Sequence, residues 1–164
     1  MQKILFLLCP PFWLRLPPLS IAYLSSIAEF SNQSFAIDLN AEIYNLLLKT
    51  DKNSDLGYYI KNWEKNENEL KQNLFNILLG NSCVKDYIEK IIFRILNEKI
   101  GYVGFSVFES NLDFSLKLAG LIKQRAENVN IIFGGPEITM NAGIIKNSKS
   151  RMNEMFSGCV DILI

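Results

Sequence analysis

A doubly wound parallel α/β sheet is the fold this sequence predicts, and three observations predict it. Short apolar runs alternate with helix-length amphipathic segments along the chain. The runs are near-continuous, as in Val129–Phe133, which suits strands covered on both faces. Most connections are short, and no internal repeat breaks the alternation. Right-handed crossovers then favour five strands in the order 2-1-3-4-5, with a ligand crevice between strands one and three.

Taken in order, strand one is Lys3 to Leu8, followed by the proline-rich loop Cys9–Pro18, which cannot be helical. Phe12 and Trp13 stand in that loop, either packed on the domain or lining a bound group or partner. Ser20 is expected to cap a helix through Phe30, with Ile21, Leu24, Ile27 and Ala28 at inward spacing. Strand two is Ser34 to Asp38, and Asn40 is expected to cap a helix over Ala41–Lys49. An acidic residue at the end of strand two fits ribose recognition, but the first turn holds prolines where GxGxxG is needed. A dinucleotide site is therefore rejected.

A plain β-α-β unit needs one helix, yet about residues 50–99 hold three apolar helical stripes. Leu56, Tyr59, Ile60 and Trp63 make the first. Leu70, Leu74, Ile77 and Leu78 make the second, stopped by Gly80. Val84, Tyr87, Ile88, Ile91, Ile92 and Ile95 make the third, capped by Asn81 or Ser82. This reads as a helical insertion, serving either to enlarge the core or as a lid or partner surface. Strand three is Tyr102 to Val107, with Gly104 marking a close approach. Ser110 or Asn111 is expected to cap the next helix, through Ala126, with Phe114, Leu118, Leu121 and Ile122 facing in. Strand four leads into Gly134-Gly135-Pro136-Glu137. A weaker helical stretch, Met140–Phe156, broken by NSKS, precedes strand five at Val160–Ile164.

Composition narrows the chemistry. The chain has 164 residues, which is one domain, and 49% are apolar. Its 17 basic and 17 acidic residues balance, so neither nucleic acid nor an anionic membrane is an expected partner. The absence of histidine removes Ser-His-Asp and Cys-His catalysis and every histidine metal ligand. Cys9, Cys83 and Cys159 form no CxxC pair, so a reducing, cytoplasmic compartment fits. The apolar run after Lys3 is too short for a signal peptide, and no run reaches the ~18 residues of a membrane span. The loops at the carboxyl edge supply short side chains and backbone amides but no nucleophile–base pair and no acid cluster for magnesium. They suit holding a large group rather than reacting alone.

At these residues the sequence resembles the N-terminal cobalamin-binding domain of cobalamin-dependent radical S-adenosylmethionine enzymes. The resemblance is carried in order by PPFWLRLPPLSIAYLSSI, FAIDLN, VGFSVFESN with SLKLAGLIK, IIFGGPEIT and VDILI, along nearly the whole chain except the insertion. It implies a flavodoxin/Rossmann-like domain, residues 1–164, that packs cobalamin against the carboxyl edge of its sheet. Ser106, Ser110 and Asn111 would lie near the corrin or its nucleotide tail. Gly134, Gly135, Pro136 and Glu137 would line the tail's path, and Pro10, Pro11, Phe108 and Glu109 complete the implied binding set. A bulky residue at Gly135 would then fill the slot and leave the fold intact.

Other cobalamin proteins bring histidine to cobalt through a DxHxxG loop, a mode closed to a chain without histidine. The family's catalytic half, with CxxxCxxC for an iron–sulfur cluster and with S-adenosylmethionine, has no counterpart here, so the chain is expected to be a non-catalytic fragment of a methyltransferase-like enzyme. Two other readings stay open. One is a stand-alone flavodoxin-like interaction or regulatory domain without corrinoid. The other is a nucleotide- or sugar-handling α/β enzyme.

Overall fold

Each expected apolar run forms a strand in the computed structural model, which describes residues 2–15, 17–50, 56–63, 68–145 and 151–164. The strands are β1 Lys3–Leu8, β2 Gln33–Asp38, β3 Tyr102–Ser106, β4 Asn130–Gly134 and β5 Ile162–Leu163. They pair parallel in one sheet of order β2-β1-β3-β4-β5, the flavodoxin-like order. β5 is shorter than its sequence suggests and pairs only through Ile132 with Ile162 and Phe133 with Leu163. Its approach is pinned at Asp161, whose Oδ2 accepts from the Ile131 amide at 2.7 Å and meets Lys123 Nζ at 2.8 Å. Burial alone would raise that carboxyl, but the bonds from Lys123 and Ile131 outweigh it and hold the pKa below the usual range.

The helices are α1 Leu19–Ala28, α2 Leu39–Thr50, α3 Leu56–Lys61, α4 Asn68–Gly80, α5 Ser82–Asn97, α6 Leu112–Arg125, α7 Pro136–Met140, α8 Ala142–Ile145 and α9 Arg151–Phe156. The NSKS stretch expected to break the last helical segment lies outside the described residues. Asn81 caps α5 as expected, its Oδ1 accepting from the amides of Cys83 and Val84. Three other expected caps fail. Ser20 lies inside α1, which begins at Leu19 without a side-chain cap. Asp38, not Asn40, serves the start of α2, accepting from the Ala41 amide at 3.0 Å. Neither Ser110 nor Asn111 caps α6 with its side chain; a 3₁₀ turn over Glu109–Asn111 leads into that helix instead. In each case a competing tertiary partner was invisible in the local sequence.

Strand register divides the helices between the two faces. Leu5, Leu7, Val103, Phe105, Ile131 and Phe133 share one face and belong to the main core. Right-handed crossovers from β2 onward all run in one direction across the sheet, so α2 to α9 fall on that face. The insertion is part of this core. α4 packs on α5 and α6, and Phe75 meets Phe114 edge-on at 4.9 Å. Trp63, Leu74, Leu78 and Ile88 are buried in the same cluster. The insertion thus enlarges the core, as one of its two readings proposed.

The opposite face carries Ser34, Ile4, Phe6, Tyr102 and Ile132 in register, and among the described residues α1 alone covers part of it. α1 sits over β1 and β2, sealed by buried Ile21 and by Ser25, whose Oγ bonds Ser34 Oγ at 2.7 Å. Leu24 and Ile27, expected to face in, are instead about half exposed. Inward spacing is ambiguous on a helix whose outer side is apolar too. Among the described residues no helix is long and apolar enough to cross a membrane.

If the insertion is core, replacing fully buried Leu78 of α4 by alanine (Leu78→Ala) should cost about 2–5 kcal/mol in urea unfolding. A loss below about 0.5 kcal/mol would mean that these helices do not seal the sheet.

Candidate functional site at the carboxyl edge

The loops after β1, β3 and β4 meet at the carboxyl ends of the strands, and side-chain amides hold them there. Asn111 is fully buried and bonds three ways. Its Oδ1 accepts from the Phe108 amide at 2.9 Å, and its Nδ2 donates to the carbonyls of Cys9 and Ser106, both at 3.2 Å. It therefore ties the β1 loop to the β3 loop. Asn40, also buried, ties the same β1 loop to the helical insertion. Its Oδ1 accepts from the Phe12 amide at 2.9 Å and from Trp63 Nε1 at 2.7 Å, while its Nδ2 donates to the Phe12 carbonyl at 3.1 Å. The helical insertion is thereby anchored to the rim through Trp63.

These anchors set the aromatic residues. Phe12 is half-buried and packs on Phe108 at 4.6 Å between centroids with the rings tilted by 39°, between the loops that follow β1 and β3. Trp13 beside it is exposed, 6.2 Å from the Phe12 ring. Pro10 and Pro11, joined by a cis peptide, are buried beneath. Ser106, on the α1 side of β3, donates to Ser20 Oγ at 2.9 Å. Ser110 is half-buried and Glu109 exposed in the 3₁₀ turn.

The β4 loop is a backbone joint. Gly135 has φ +114°, and a Cβ there would lie 2.6 Å from the Val107 carbonyl oxygen and 2.9 Å from its nitrogen. The Val107 amide donates to Gly134 O at 2.7 Å, and the Glu137 amide donates back to Val107 O at 3.3 Å. The glycine is demanded by the fold, so a bulky residue at Gly135 would not leave the fold intact. Pro136 is the exposed first residue of α7, and Glu137 Oε1 accepts from Asn141 Nδ2 at 2.9 Å. Gly134 is half-buried with the Ile164 backbone 3.6 Å from where its Cβ would stand.

The sequence-derived residues are therefore brought together, but they divide by role. Pro10, Pro11, Asn111 and Gly135 build the rim. Phe108, Glu109, Ser110, Pro136 and Glu137 lie along it, and buried Ser106 and half-buried Gly134 face the α1 side. Ser20, Asn40 and Trp63 were missed as site residues. A serine in a helix and an asparagine two residues after an aspartate carry local signals for capping, and only the fold redirects them.

Among the described residues the site brings together no reactive pair. Cys9 is sealed, and burial drives its thiol up to about 12, offset only in part by the nearby Ser115 hydroxyl, so it is no nucleophile at neutral pH. Among the described residues no group of three or more cysteine, aspartate or glutamate side chains could hold a metal ion. A hollow of about 200 Å³ lies between α7, α8 and the end of β5, below the usual size of a closed small-molecule pocket. A larger recess of about 680 Å³ lies at the other, amino edge, where Lys123 is engaged with Asp161 and the Val129 carbonyl. We place the site by chemistry rather than by volume, at the carboxyl edge.

No family model, no curated protein and no solved structure matches the chain.

Two substitutions probe the rim. Gly135→Ala should lower stability by about 2 kcal/mol or more through left-handed strain and the Val107 clash; an unchanged urea midpoint would contradict the joint. Asn40→Ala should cost at least about 2 kcal/mol by orphaning Phe12 and Trp63. Asn40→Asp, which keeps the acceptor, should lose less, and equal losses would argue against this bonding pattern.

Proposed function

We propose that the chain is a cobalamin-binding module of the kind found in radical S-adenosylmethionine enzymes, working in the cytoplasm and holding the corrinoid for a catalytic domain. One observation carries this reading. At the carboxyl end of the α1-side face, partly exposed Ser20 and Gly134, with buried Ser106 between their elements, put short side chains next to the sheet surface. An elongated tail needs a strip of such short side chains, because bulky ones would fill it.

The fit is partial and defines the mode. Phe12 packed on Phe108 closes the direct crevice between β1 and β3, so the group cannot sink between those strands. It would lie on the rim, against the faces of Phe12, Phe108 and exposed Trp13, with its tail beside the serine pair. Flat aromatic surfaces suit a large ring. When bound, cobalamin supplies the methyl-carrying or redox chemistry, and this chain's residues supply position and exclusion of water. With no histidine in the chain, cobalt would gain no imidazole ligand from it.

A second reading, an interaction or regulatory domain without corrinoid, is favoured by the apolar outer side of α1.

Titration with hydroxocobalamin decides between them. The first reading expects a shifted corrin absorption spectrum and co-elution in gel filtration at protein concentrations on the order of tens of micromolar. Ser106→Trp, which fills the strip, should abolish retention while Glu154→Gln on α9, away from the rim, should not. Absence of retention by the wild-type chain would overturn the corrinoid reading.

A further inference from the structure

Trp63 brings the helical insertion to the rim. It follows α3 and is buried in the main core, where the Tyr44 ring meets it edge-on at 5.4 Å. Its Nε1 donates to Asn40 Oδ1 at 2.7 Å. An indole N–H can only donate. The acceptor it meets is the side-chain amide that also holds the β1 loop.

Asn40 engages both sides of Phe12. Its Oδ1 accepts from the Phe12 amide at 2.9 Å, and its Nδ2 donates to the Phe12 carbonyl at 3.1 Å. Turning the amide over would set Nδ2 against the N–H groups of Phe12 and Trp63, and Oδ1 against the Phe12 carbonyl. All three bonds would be lost. Two of those three partners belong to a loop, and the third belongs to the core. The core donor orients the amide, and the amide then places the loop. Phe12 is a natural point for this. Pro10 and Pro11 have no N–H, so the Phe12 amide is the first donor the chain offers beyond Cys9. Cys9 itself is held through its carbonyl by Asn111.

We propose that Trp63 is a positioning residue for the rim. Through Asn40 the insertion sets Phe12, and with it the aromatic surface that Phe12 makes with Phe108 beside exposed Trp13. Insertion and rim are then coupled. Whatever loosens the Trp63 bond loosens Phe12, and a guest that holds Phe12 in place strengthens the Trp63 bond by the same factor. The insertion is thereby part of the binding apparatus as well as of the core. The consequence for cobalamin rests on the corrinoid reading, whereas the positioning of Phe12 does not.

Amide hydrogen exchange at Phe12, read by nuclear magnetic resonance on the full chain without ligand, tests the positioning. Trp63→Phe keeps an aromatic ring but removes the donor, and should speed Phe12 exchange at least about tenfold. Ile122→Val, a mild loss at a fully buried residue of α6, should leave that rate within about twofold. In an Asn40→Ala background Trp63→Phe should add nothing, because the path runs through Asn40. Trp63→His puts its Nε2 where the indole nitrogen stands but fills less space. It should protect Phe12 better than Trp63→Phe does while unfolding at lower urea. Unchanged Phe12 exchange in Trp63→Phe overturns the proposal. So does equal acceleration by Ile122→Val, a further effect in the Asn40→Ala background, or the reverse order of the two Trp63 variants, since each would leave Trp63 as core filling alone. In the hydroxocobalamin titration Trp63→Phe should weaken binding at least about fivefold, and Ile122→Val should not. Wild-type binding that Trp63→Phe leaves unchanged overturns the coupling. A wild-type chain that retains no cobalamin overturns the corrinoid reading instead, and the exchange rates still decide the positioning.

Discussion

The handedness of β-α-β crossovers governs this molecule more than any single contact. With strands ordered β2-β1-β3-β4-β5, only the first connection runs toward β2, and all later ones run away from it. Right-handed connections therefore put α1 on one face and every other helix on the opposite one. The loaded face holds nearly all of the core, including the extra helices between β2 and β3. Among the described residues the other face has one short helix and a strip of partly covered strand. The rim strip and the apolar outer side of α1 both follow from that asymmetry.

Within that frame, two buried asparagines organise the carboxyl edge. Loops at strand ends carry backbone groups that regular structure cannot satisfy. Asn111 and Asn40 each have a donor and an acceptor on one planar group, so each can clamp two separate segments. Serine could not reach both, and aspartate would lack the donor. The clamps fix Phe12 against Phe108, so the rim at that point is a surface rather than a cleft. Trp63 joins the outer clamp, so the insertion supports the rim as well as the core.

Glycine has a different role at each of three positions. At Gly104 it makes room for the Phe6 ring, at Gly134 for the end of β5, and at Gly135 for the Val107 backbone with positive φ. Only Gly134 borders the strip assigned to a ligand. A glycine-rich turn at a strand end therefore has to be sorted by what its missing Cβ would meet before it is read as a binding loop.

The sequence by itself determined the strands, the parallel order, the helical insertion and the loops that gather at one edge. Those features depend on apolar run length, turn residues and crossover handedness, all written locally. It also set the chemistry, since a chain without histidine cannot offer an imidazole ligand. Tertiary structure alone decided that Ser20, Asn40 and Asn111 bond across the fold instead of capping helices, that Gly135 is a backbone joint, and that Leu24 and Ile27 are half exposed. Each of those outcomes depends on which distant atom lies within about 3 Å, and the local pattern of residues does not encode that distance.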